Sequence, residues 1–387
     1  MRFLFKILLV NAPLIDYITL ESCLSLSNRG SGFRVESSGN VSISECHAFS
    51  NSEHGFELVS ASSVVIINRS LTSSNGGDGI RFEQQSGNSA TLKINEVNIT
   101  GHYYRAAAHF ENISDLQLEM SRCSVEDNFN DALLFDGVTS NSEISILDSN
   151  FTQNRGSTVV LSLLRDSRVT LRGNIFSMNH LNDFSDREAV VQISTFGETA
   201  GSKIIVDGNT FEQNAMSNVI ELRHLGGEVT PVVIAKNKFI GNLARSVIDL
   251  DMPSGEIKGN YFNNVQFVPR ICTLNRSLNY EVFNAEDPIP ASTSSSILVQ
   301  PKSLAEPEQP KPTSLIRTTT ARPSSALKPF ENTYNQVKAT DQPYSVESEV
   351  VVHPGQIVIV DPGTQLGFAP GIGLTVQDKG KPVLSRL

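Results

Sequence analysis

Short runs of alternating apolar and polar residues recur along most of this 387-residue chain. Three examples are FRV at 33–35, FEL at 56–58 and IRF at 80–82, and each run directly follows a glycine. A period of two places successive side chains on opposite faces, which predicts β-strands with one buried face. A helix would need apolar residues at a spacing of about 3.6 over ten or more positions, which these short runs do not provide. The pattern therefore predicts an all-β chain.

A second pattern repeats over a longer distance. An apolar residue, two or three polar residues and an asparagine recur, as in NFTQN at 150–154, NTFEQN at 209–214 and NKFIGN at 237–242. Ten apolar anchors span 236 residues in nine steps, a mean period of about 26 that is typical of a solenoid. We therefore expect a single-stranded parallel β-helix of about ten coils, each with three short strands. The anchors are Leu26, Phe49, Leu71, Ile99, Val125, Phe151, Phe176, Phe211, Phe239 and Phe262.

Asparagine returns at one point of the coil. Asn tolerates the left-handed backbone of a tight turn, and stacked amides can pair from coil to coil, so we expect a structural ladder. A row of ligand-binding groups is the functional alternative. The expected ladder comprises Asn28, Asn51, Asn75, Asn128, Asn154, Asn179, Asn214 and Asn242.

Three cysteines share one position in the coil. Cys23, Cys46 and Cys123 each precede a ladder asparagine by five residues, which predicts small inward-facing side chains. Because Cys23 and Cys46 lie on successive coils, a disulfide between them stays open.

The chain divides into three segments by composition. The β-helix repeats cover 7–285, and 286–344 is rich in Pro, Ser and Thr, which predicts a disordered linker. Residues 345–387 contain three Pro-Gly pairs spaced by eight residues, which predicts the corners of one coil. We interpret this coil as the start of a second β-helix. Its open strand edge indicates that the chain is cut from a longer protein.

The first residues allow two interpretations. Residues 1–15 start basic and apolar but are interrupted by Lys6 and Asn11, so they would make a poor signal peptide. The alternative, favoured by the pattern alone, is that 7–26 is already a coil.

These repeats resemble the right-handed β-helix repeats that pectate lyases share with many surface proteins, over about residues 7–268. A β-helix, a linker and a new start written PGQIVIVDPGTQLGFAPGIGLTV together resemble the bark beetle (Anakonda) type of septate-junction protein. That family consists of large single-pass membrane proteins with repeated extracellular β-helix regions. The resemblance implies a role in the maturation of cell–cell junctions, including tricellular contacts. The family's CUB, scavenger-receptor and lectin-like modules and its transmembrane helix are absent from this chain.

Charge and composition limit the classes of binding partner that can be expected. The net charge of −10 and the lack of a Lys/Arg cluster disfavour nucleic acid. No run of about 18 apolar residues occurs, so a transmembrane segment would have to come from a longer parent protein. Cell-surface or junction proteins are the expected partners, with glycans as a further option. We expect the extracellular side of the plasma membrane at a cell junction, or secretion if the chain is complete. Six N-glycosylation sequons permit this location: Asn40, Asn68, Asn98, Asn112, Asn150 and Asn275.

The motifs of β-helix polysaccharide enzymes are missing. Lyases need a carboxylate cluster for Ca²⁺ with a base, and inverting hydrolases need paired carboxylates across the bond. Asp183, Asp186 and Glu188 instead share one loop, which we interpret as a solvated acidic turn, with Ca²⁺ binding as the alternative. Lengthened turns at 180–188, 197–202 and 223–231 are the expected places for a partner.

The histidines are scattered, so we expect no metal site, no cofactor and no catalytic residue. The sequence HYYR at 102–105 could stack on a sugar, yet it occupies the asparagine turn of a divergent coil. We therefore predict a non-catalytic scaffold, with a carbohydrate-binding or polysaccharide-degrading β-helix protein as the alternative. The seven histidines are His47, His54, His102, His109, His180, His224 and His353.

Overall fold

The structure, a computed structural model, describes the chain in several stretches. They are residues 8–12, 17–37, 39–60, 64–84, 89–180, 189–197, 202–227, 230–252 and 255–263, together with short strands at 271–273, 283–286 and between 325 and 384. All regular elements in these stretches are β-strands. Within them, no helix is long and apolar enough to cross a membrane.

Eleven parallel strands form the first face of the molecule. Each pairs with the strand one coil before and one coil after it, as Phe56–Ser60 does with Phe33–Ser37 and Ile80–Gln84. The strands are Leu8–Ala12, Phe33–Ser37, Phe56–Ser60, Ile80–Gln84, Ala106–Glu111, Asp131–Ser140, Val159–Arg165, Ala189–Gly197, Asn218–Gly227, Ser246–Asp251 and Ile271–Thr273.

The second and third faces complete each coil, and they join into one sheet through Gly255–Asn263, which pairs on both faces. The second face consists of Tyr17–Glu21, Asn40–Ser44, Val64–Asn68, Ala90–Asn95, Leu116–Ser121, Glu143–Leu147, Arg168–Arg172, Lys203–Asp207, Val232–Ala235, Gly255–Asn263 and Phe283–Glu286. The third face consists of Leu24–Leu26, His47–Phe49, Leu71–Ser73, Asn98–Thr100, Ser124–Glu126, Asn150–Thr152, Ile175–Ser177, Thr210–Glu212 and Lys238–Ile240. All these pairings are parallel, so the chain forms a parallel β-helix with three faces.

The N-terminal segment contributes strands to this solenoid. Leu8–Ala12 pairs with Phe33–Ser37, and Tyr17–Glu21 pairs with Asn40–Ser44. The favoured interpretation of 7–26 as a coil therefore agrees with the structure.

Further parallel strands lie near the C-terminus. Tyr344 pairs with Leu366, Val350 with Leu374 and Ile357 with Lys381, at separations close to one coil. Two of the strands fall in the predicted linker, and the remainder of that linker and the Pro-Gly corners lie outside the described residues. The strands are Ser325–Ala326, Tyr334–Val337, Tyr344–Val346, Val350–Val352, Ile357–Val360, Leu366–Phe368, Leu374–Val376 and Lys381–Leu384.

The core is a stack of identical positions from successive coils. On the third face the rings of Phe151, Phe176, Phe211, Phe239 and Phe262 are stacked, with neighbouring centroids 4.8–5.1 Å apart. Their spacing equals the separation of neighbouring strands, so each ring covers the next. Burying each of these side chains contributes roughly 1.5–3 kcal/mol.

The first three predicted anchors were wrong by one residue. Ile99 is in register with Thr72 and Val125, whereas Leu71 aligns with the exposed Asn98. The buried third-face positions of the first coils are therefore Ser25, Ala48 and Thr72 rather than Leu26, Phe49 and Leu71. The Ser25 and Thr72 hydroxyls can lie in the core because they donate to the carbonyl oxygens of Gly32 and Gly79, respectively.

All eight predicted ladder asparagines donate a side-chain amide hydrogen bond, either to the next ladder asparagine or to a backbone oxygen of the preceding coil. For example, the Asn154 side chain donates to Asn179 Oδ1 at 3.1 Å and to the backbone oxygen of Val125 at 2.9 Å. Asn179 bonds to Asn214 in the same way, and Asn214 to Asn242. Backbone N–H groups also donate to these amide oxygens. The buried corner is thereby satisfied.

Two further columns of polar side chains stand at the other corners. Asn174, Asn209, Asn237 and Asn260 form a second asparagine ladder, with side-chain distances of 3.0 Å at each step. At the third corner the hydroxyls of Ser142, Ser167 and Ser202 accept hydrogen bonds from backbone N–H groups of the preceding coil. Neither column is predicted by the apolar pattern of the sequence.

The ladder asparagines do not themselves adopt the left-handed backbone that was expected. The residue before each one does so, with φ of 55° at Ser27, 53° at Asp127 and 58° at Gln153. The left-handed residue turns the chain, and the next side chain then points inward, where an amide can reach the neighbouring coils.

The three described cysteine thiols are free and occupy equivalent positions, with Cys23 and Cys46 on neighbouring coils and Cys123 further along the column. Cys46 and Cys123 are buried, and Cys23 is partly buried. A hydrogen bond from Cys46 lowers the pKa of Cys23, while the same contact and burial raise the pKa of Cys46. Burial raises the pKa of Cys123 to about 11, which favours the inert thiol.

The lengthened turns are partly strand. Residues 223–227, which were assigned to a turn, belong to Asn218–Gly227, and this strand pairs with Ala189–Gly197 as far as Gly197. The extra length therefore extends two neighbouring strands beyond the ordinary first face. The backbone groups of the added residues are satisfied by mutual pairing, which a pattern of apolar positions does not reveal.

We expect Asn154→Leu to lower the free energy of unfolding by about 2–4 kcal/mol, because it leaves amide partners on both adjacent coils unsatisfied. Chemical denaturation would measure the change. Asn98→Leu is the matched control, since Asn98 is exposed on the same face. Equal stability of the two variants would contradict a structural role for the ladder.

Candidate functional site

Charged side chains form columns on the outside of the first face. The parallel register aligns Arg34 with Glu57, Glu57 with Arg81 and Arg81 with His109. A second column aligns Glu111 with Asp136. Residues far apart in sequence therefore become neighbours, and opposite charges alternate along the first column.

A buried carboxylate lies beneath these columns. Asp78 is 1% exposed, and one of its oxygens accepts a hydrogen bond of 2.9 Å from the backbone N–H of Ala106. Its Oδ2 lies 3.3 Å from His109 Nδ1 and 3.4 Å from His54 Nδ1. Burial alone would raise the pKa of Asp78, but the bonds from His109 and Ala106 and the charge of His54 outweigh it and lower the pKa. Asp78 is therefore ionised at neutral pH.

His109 connects this carboxylate to the surface. Its side chain is buried, and its Nε2 lies 3.4 Å from Glu111 Oε1 and 3.8 Å from Asp136 Oδ2. Within the described part of the chain, Nε2 has no hydrogen-bond partner. If Nδ1 donates to Asp78, the neutral ring presents its Nε2 lone pair to two carboxylates, an arrangement that a cation would stabilise.

Two arginines hold the surface carboxylates. Arg81 Nη2 lies 2.8 Å from Glu111 Oε2, and Arg105 Nη2 lies 2.7 Å from Asp136 Oδ2. Arg105 also approaches Glu111 Oε1, at 3.7 Å. Arg105 is half exposed, so its pairing contributes little to stability. We refer to His54, Asp78, Arg81, Arg105, His109, Glu111 and Asp136 as the histidine cluster.

An aromatic corner adjoins the histidine cluster. Tyr103 and Tyr104 are 58% and 65% exposed, and the ring of Tyr103 stacks on Phe129 with the centroids 4.3 Å apart. Arg155 covers the same Phe129 ring at 4.4 Å. Such rings can pack against the apolar face of a sugar. His102 does not belong to this surface, because it is buried in the ladder.

A second charged group occupies the first face further along the solenoid. Arg223 lies 2.9 Å from Glu221 and 3.0 Å from Asp249, and Asn218 donates to Glu221 at 2.7 Å. Burial raises the pKa of Asp249 despite the neighbouring Arg223. This group resembles the histidine cluster in its acidic residues and arginine but contains no histidine.

The predicted site residues have different positions. The acidic loop with Asp183, Asp186 and Glu188 lies outside the described residues, as does the sequon asparagine Asn275. Asn40, Asn98 and Asn112 are exposed, whereas Asn68 and Asn150 are partly buried.

The expectation of scattered histidines needs correction. His54 and His109 contact the same carboxylate, because stacking brings together residues that are 55 positions apart in the chain. The fixed offset of three residues that separates Asn51 from His54 and Asn75 from Asp78 could have aligned His54 with Asp78, but it does not reach His109.

The family comparison agrees with this architecture. Residues 9–113 match the family model of the right-handed β-helix region. The fold is therefore a right-handed parallel β-helix, and the matched stretch includes His54, Asp78, His109 and Glu111. No curated protein matches the chain. No solved structure matches it either. The resemblance to the bark beetle type of junction protein thus lacks a supporting match.

His102 predicts a pH-dependent stability. Burial lowers its pKa from 6.5 to about 4, although a bond to the Thr72 carbonyl oxygen acts in the other direction. The unfolded chain therefore binds this proton more tightly than the folded chain does. The contribution of neutral His102 to the free energy of unfolding is complete above about pH 6.5 and is lost as the pH falls to about 4. We expect a loss of roughly 3 kcal/mol in the free energy of unfolding.

His102→Asn, which restores the ladder residue, should remove this part of the slope in denaturant titrations from about pH 7 to about pH 4. His180→Asn at an exposed position is the control and should keep the slope of the unaltered protein. If His102→Asn also keeps it, another group causes the acid sensitivity.

Proposed function

We propose that this chain is a non-catalytic extracellular scaffold within a larger cell-surface protein, with a role in cell–cell contacts of the septate or tricellular type. The observation that carries the proposal is the column of buried side chains and hydrogen-bonded polar ladders that joins successive coils along the described solenoid. A rigid solenoid holds its flanks at fixed distances and offers extended surfaces to partner proteins.

The outward charges support a structural role for much of the surface. Between the second and third faces, Arg69 pairs with Glu45 at 3.1 Å, and Arg122 pairs with Glu96 at 3.1 Å. Each pair joins successive coils. These partly exposed pairs align neighbouring coils more than they stabilise them.

The cavity on the second face offers little for polysaccharide cleavage. It has a volume of about 290 Å³ and is lined by Asn40, Val64, Ser89, Ala90, Thr91, Asp115 and Gln117. Its lining contains one carboxylate, whereas glycoside hydrolysis ordinarily uses two. The junction setting itself rests on the resemblance of the C-terminal Pro-Gly phrase.

Carbohydrate binding is the second candidate, and the exposed rings of Tyr103 and Tyr104 favour it. They stand beside the Phe129 and Arg155 pair, so that aromatic and cationic groups share one corner. Polysaccharide degradation, the catalytic form of this alternative, would need a nucleophile or paired acids in addition.

Display of the chain on suspension cells through an unrelated membrane anchor tests the scaffold proposal. We expect these cells to aggregate with each other or to collect at the contacts of an epithelial layer, and cells with the anchor alone to remain dispersed. Release of reducing ends from a polysaccharide panel should stay at background. Robust turnover, or retention on a glycan array that Tyr103→Ser and Tyr104→Ser abolish without cell aggregation, would overturn the proposal.

Glycosylation tests the extracellular location. When the chain is made in the secretory pathway of animal cells, we expect glycans at the exposed Asn98 and Asn112, with Asn98→Gln and Asn112→Gln each removing the mass of one glycan. Asn130→Gln, at an exposed position without a sequon, is the control. Efficient secretion with no glycan at any sequon would contradict the expected use of these sites.

A further inference from the structure

We propose that His109, Glu111 and Asp136 form a binding site for a divalent transition-metal ion of the Zn²⁺ type. One nitrogen or oxygen atom from each residue lies within 4.8 Å of the others. Nothing in the scaffold proposal requires this site, and the two stand independently.

The buried imidazole is the observation that points to a ligand. His109 is 1% exposed, and its Nε2 is aimed between the two carboxylates without a hydrogen-bond partner in the described part of the chain. A buried ring nitrogen that faces two anionic oxygens is costly when neutral and unpaired. A metal ion bound to all three atoms would satisfy the nitrogen and neutralise both carboxylates.

The distances suit a small cation. Tetrahedral Zn²⁺ with bonds of about 2.0–2.2 Å places its ligand atoms about 3.4 Å apart. His109 Nε2 lies 3.4 Å from Glu111 Oε1 and 3.8 Å from Asp136 Oδ2. Both distances are within a few tenths of an ångström of the tetrahedral value, and the two carboxylate oxygens lie within 4.8 Å of each other, so side-chain adjustments bring the three atoms into one coordination shell. A set of one imidazole and two carboxylates suits Zn²⁺, Mn²⁺ or Co²⁺.

Asp78 prepares the ring for this role. Its Oδ2 lies 3.3 Å from His109 Nδ1, and the backbone N–H of Ala106 fixes the other oxygen at 2.9 Å. A carboxylate that accepts the Nδ1 proton leaves the Nε2 lone pair free for a metal and orients the ring. Asp78 is thus a positioning residue.

The strands hold the ligands in place. His109 and Glu111 lie on Ala106–Glu111, and Asp136 is paired in register with Glu111 on the next strand. Arg81 binds Glu111 Oε2 at 2.8 Å, which leaves the other oxygen, Oε1, facing His109 Nε2. Little conformational freedom remains to be lost on binding.

Arg105 competes with the metal ion. Its guanidinium approaches the same two oxygens, Asp136 Oδ2 at 2.7 Å and Glu111 Oε1 at 3.7 Å. The side chain is long and half exposed, so it can move into solvent when the ion enters. Removal of this guanidinium should therefore strengthen metal binding, an effect that a purely structural ion-pair network would not produce.

Calorimetric titration of the full chain with ZnCl₂ tests the proposal, with visible absorption of the Co²⁺ form as a second readout. We expect one site whose affinity falls at least tenfold in Glu111→Gln and in Asp136→Asn, and rises several-fold in Arg105→Ala. Asp249→Asn is the matched control, because it breaks a similar pair with Arg223 on the same face away from any of these ligands. It should bind Zn²⁺ like the unaltered protein.

His109→Gln should abolish the Co²⁺ absorption, and thermal unfolding establishes whether that variant is folded. If His109→Gln does not fold, the Asp136→Asn variant still tests the site, because Asp136 is partly exposed. Absence of saturable Zn²⁺ binding by the unaltered protein would overturn the proposal. So would binding that persists in Glu111→Gln and Asp136→Asn, since the ion would then lie elsewhere, or an equal loss in Asp249→Asn.

Discussion

Hydrogen bonding between buried polar side chains at the corners of the coil is the constraint on which the rest of the structure depends. Parallel strands by themselves allow a slip of one residue, and such a slip would turn every inner side chain to the outside. The amides of Asn154, Asn179 and Asn214 prevent it, because each must meet the amide of the next coil and a carbonyl oxygen of the preceding coil. A buried amide without partners costs about 1–3 kcal/mol, so the correct register is strongly favoured.

This constraint explains which parts of the fold could be predicted. The period of the coil and the first asparagine ladder could be predicted, because the regular spacing of Asn is visible in the sequence itself. The inward-facing positions of the first coils could not be predicted in this way. Leu26 is apolar yet only partly buried, while Ser25 and Thr72 are polar yet fully buried. Hydrophobicity favours Leu at a core position, but hydrogen bonds to the carbonyl oxygens of the turn decide in favour of the hydroxyl.

The histidine cluster was beyond reach of the sequence for a related reason. Its members come from successive coils, and coil lengths vary. Ile80 follows its ladder residue by five positions, whereas Ala108, which pairs with it, follows His102 by six. Because this coil has one extra residue after its ladder position, a fixed offset from the ladder residue does not align His109 with Arg81. Only the pairing of Arg81 with His109 reveals that Asp78 and His109 share a surface.

The coil that contains these groups departs from the repeat in several ways at once. His102 replaces the ladder amide and leaves its Nδ1 without a hydrogen-bond partner in the described structure, and the turn after it exposes Tyr103 and Tyr104. Departures from a repeat cost stability, since the neighbouring coils supply partners for the usual residues. Departures that concentrate where a buried imidazole meets two carboxylates suggest that this coil has been shaped for binding, while the coils on both sides keep the register that makes its geometry possible.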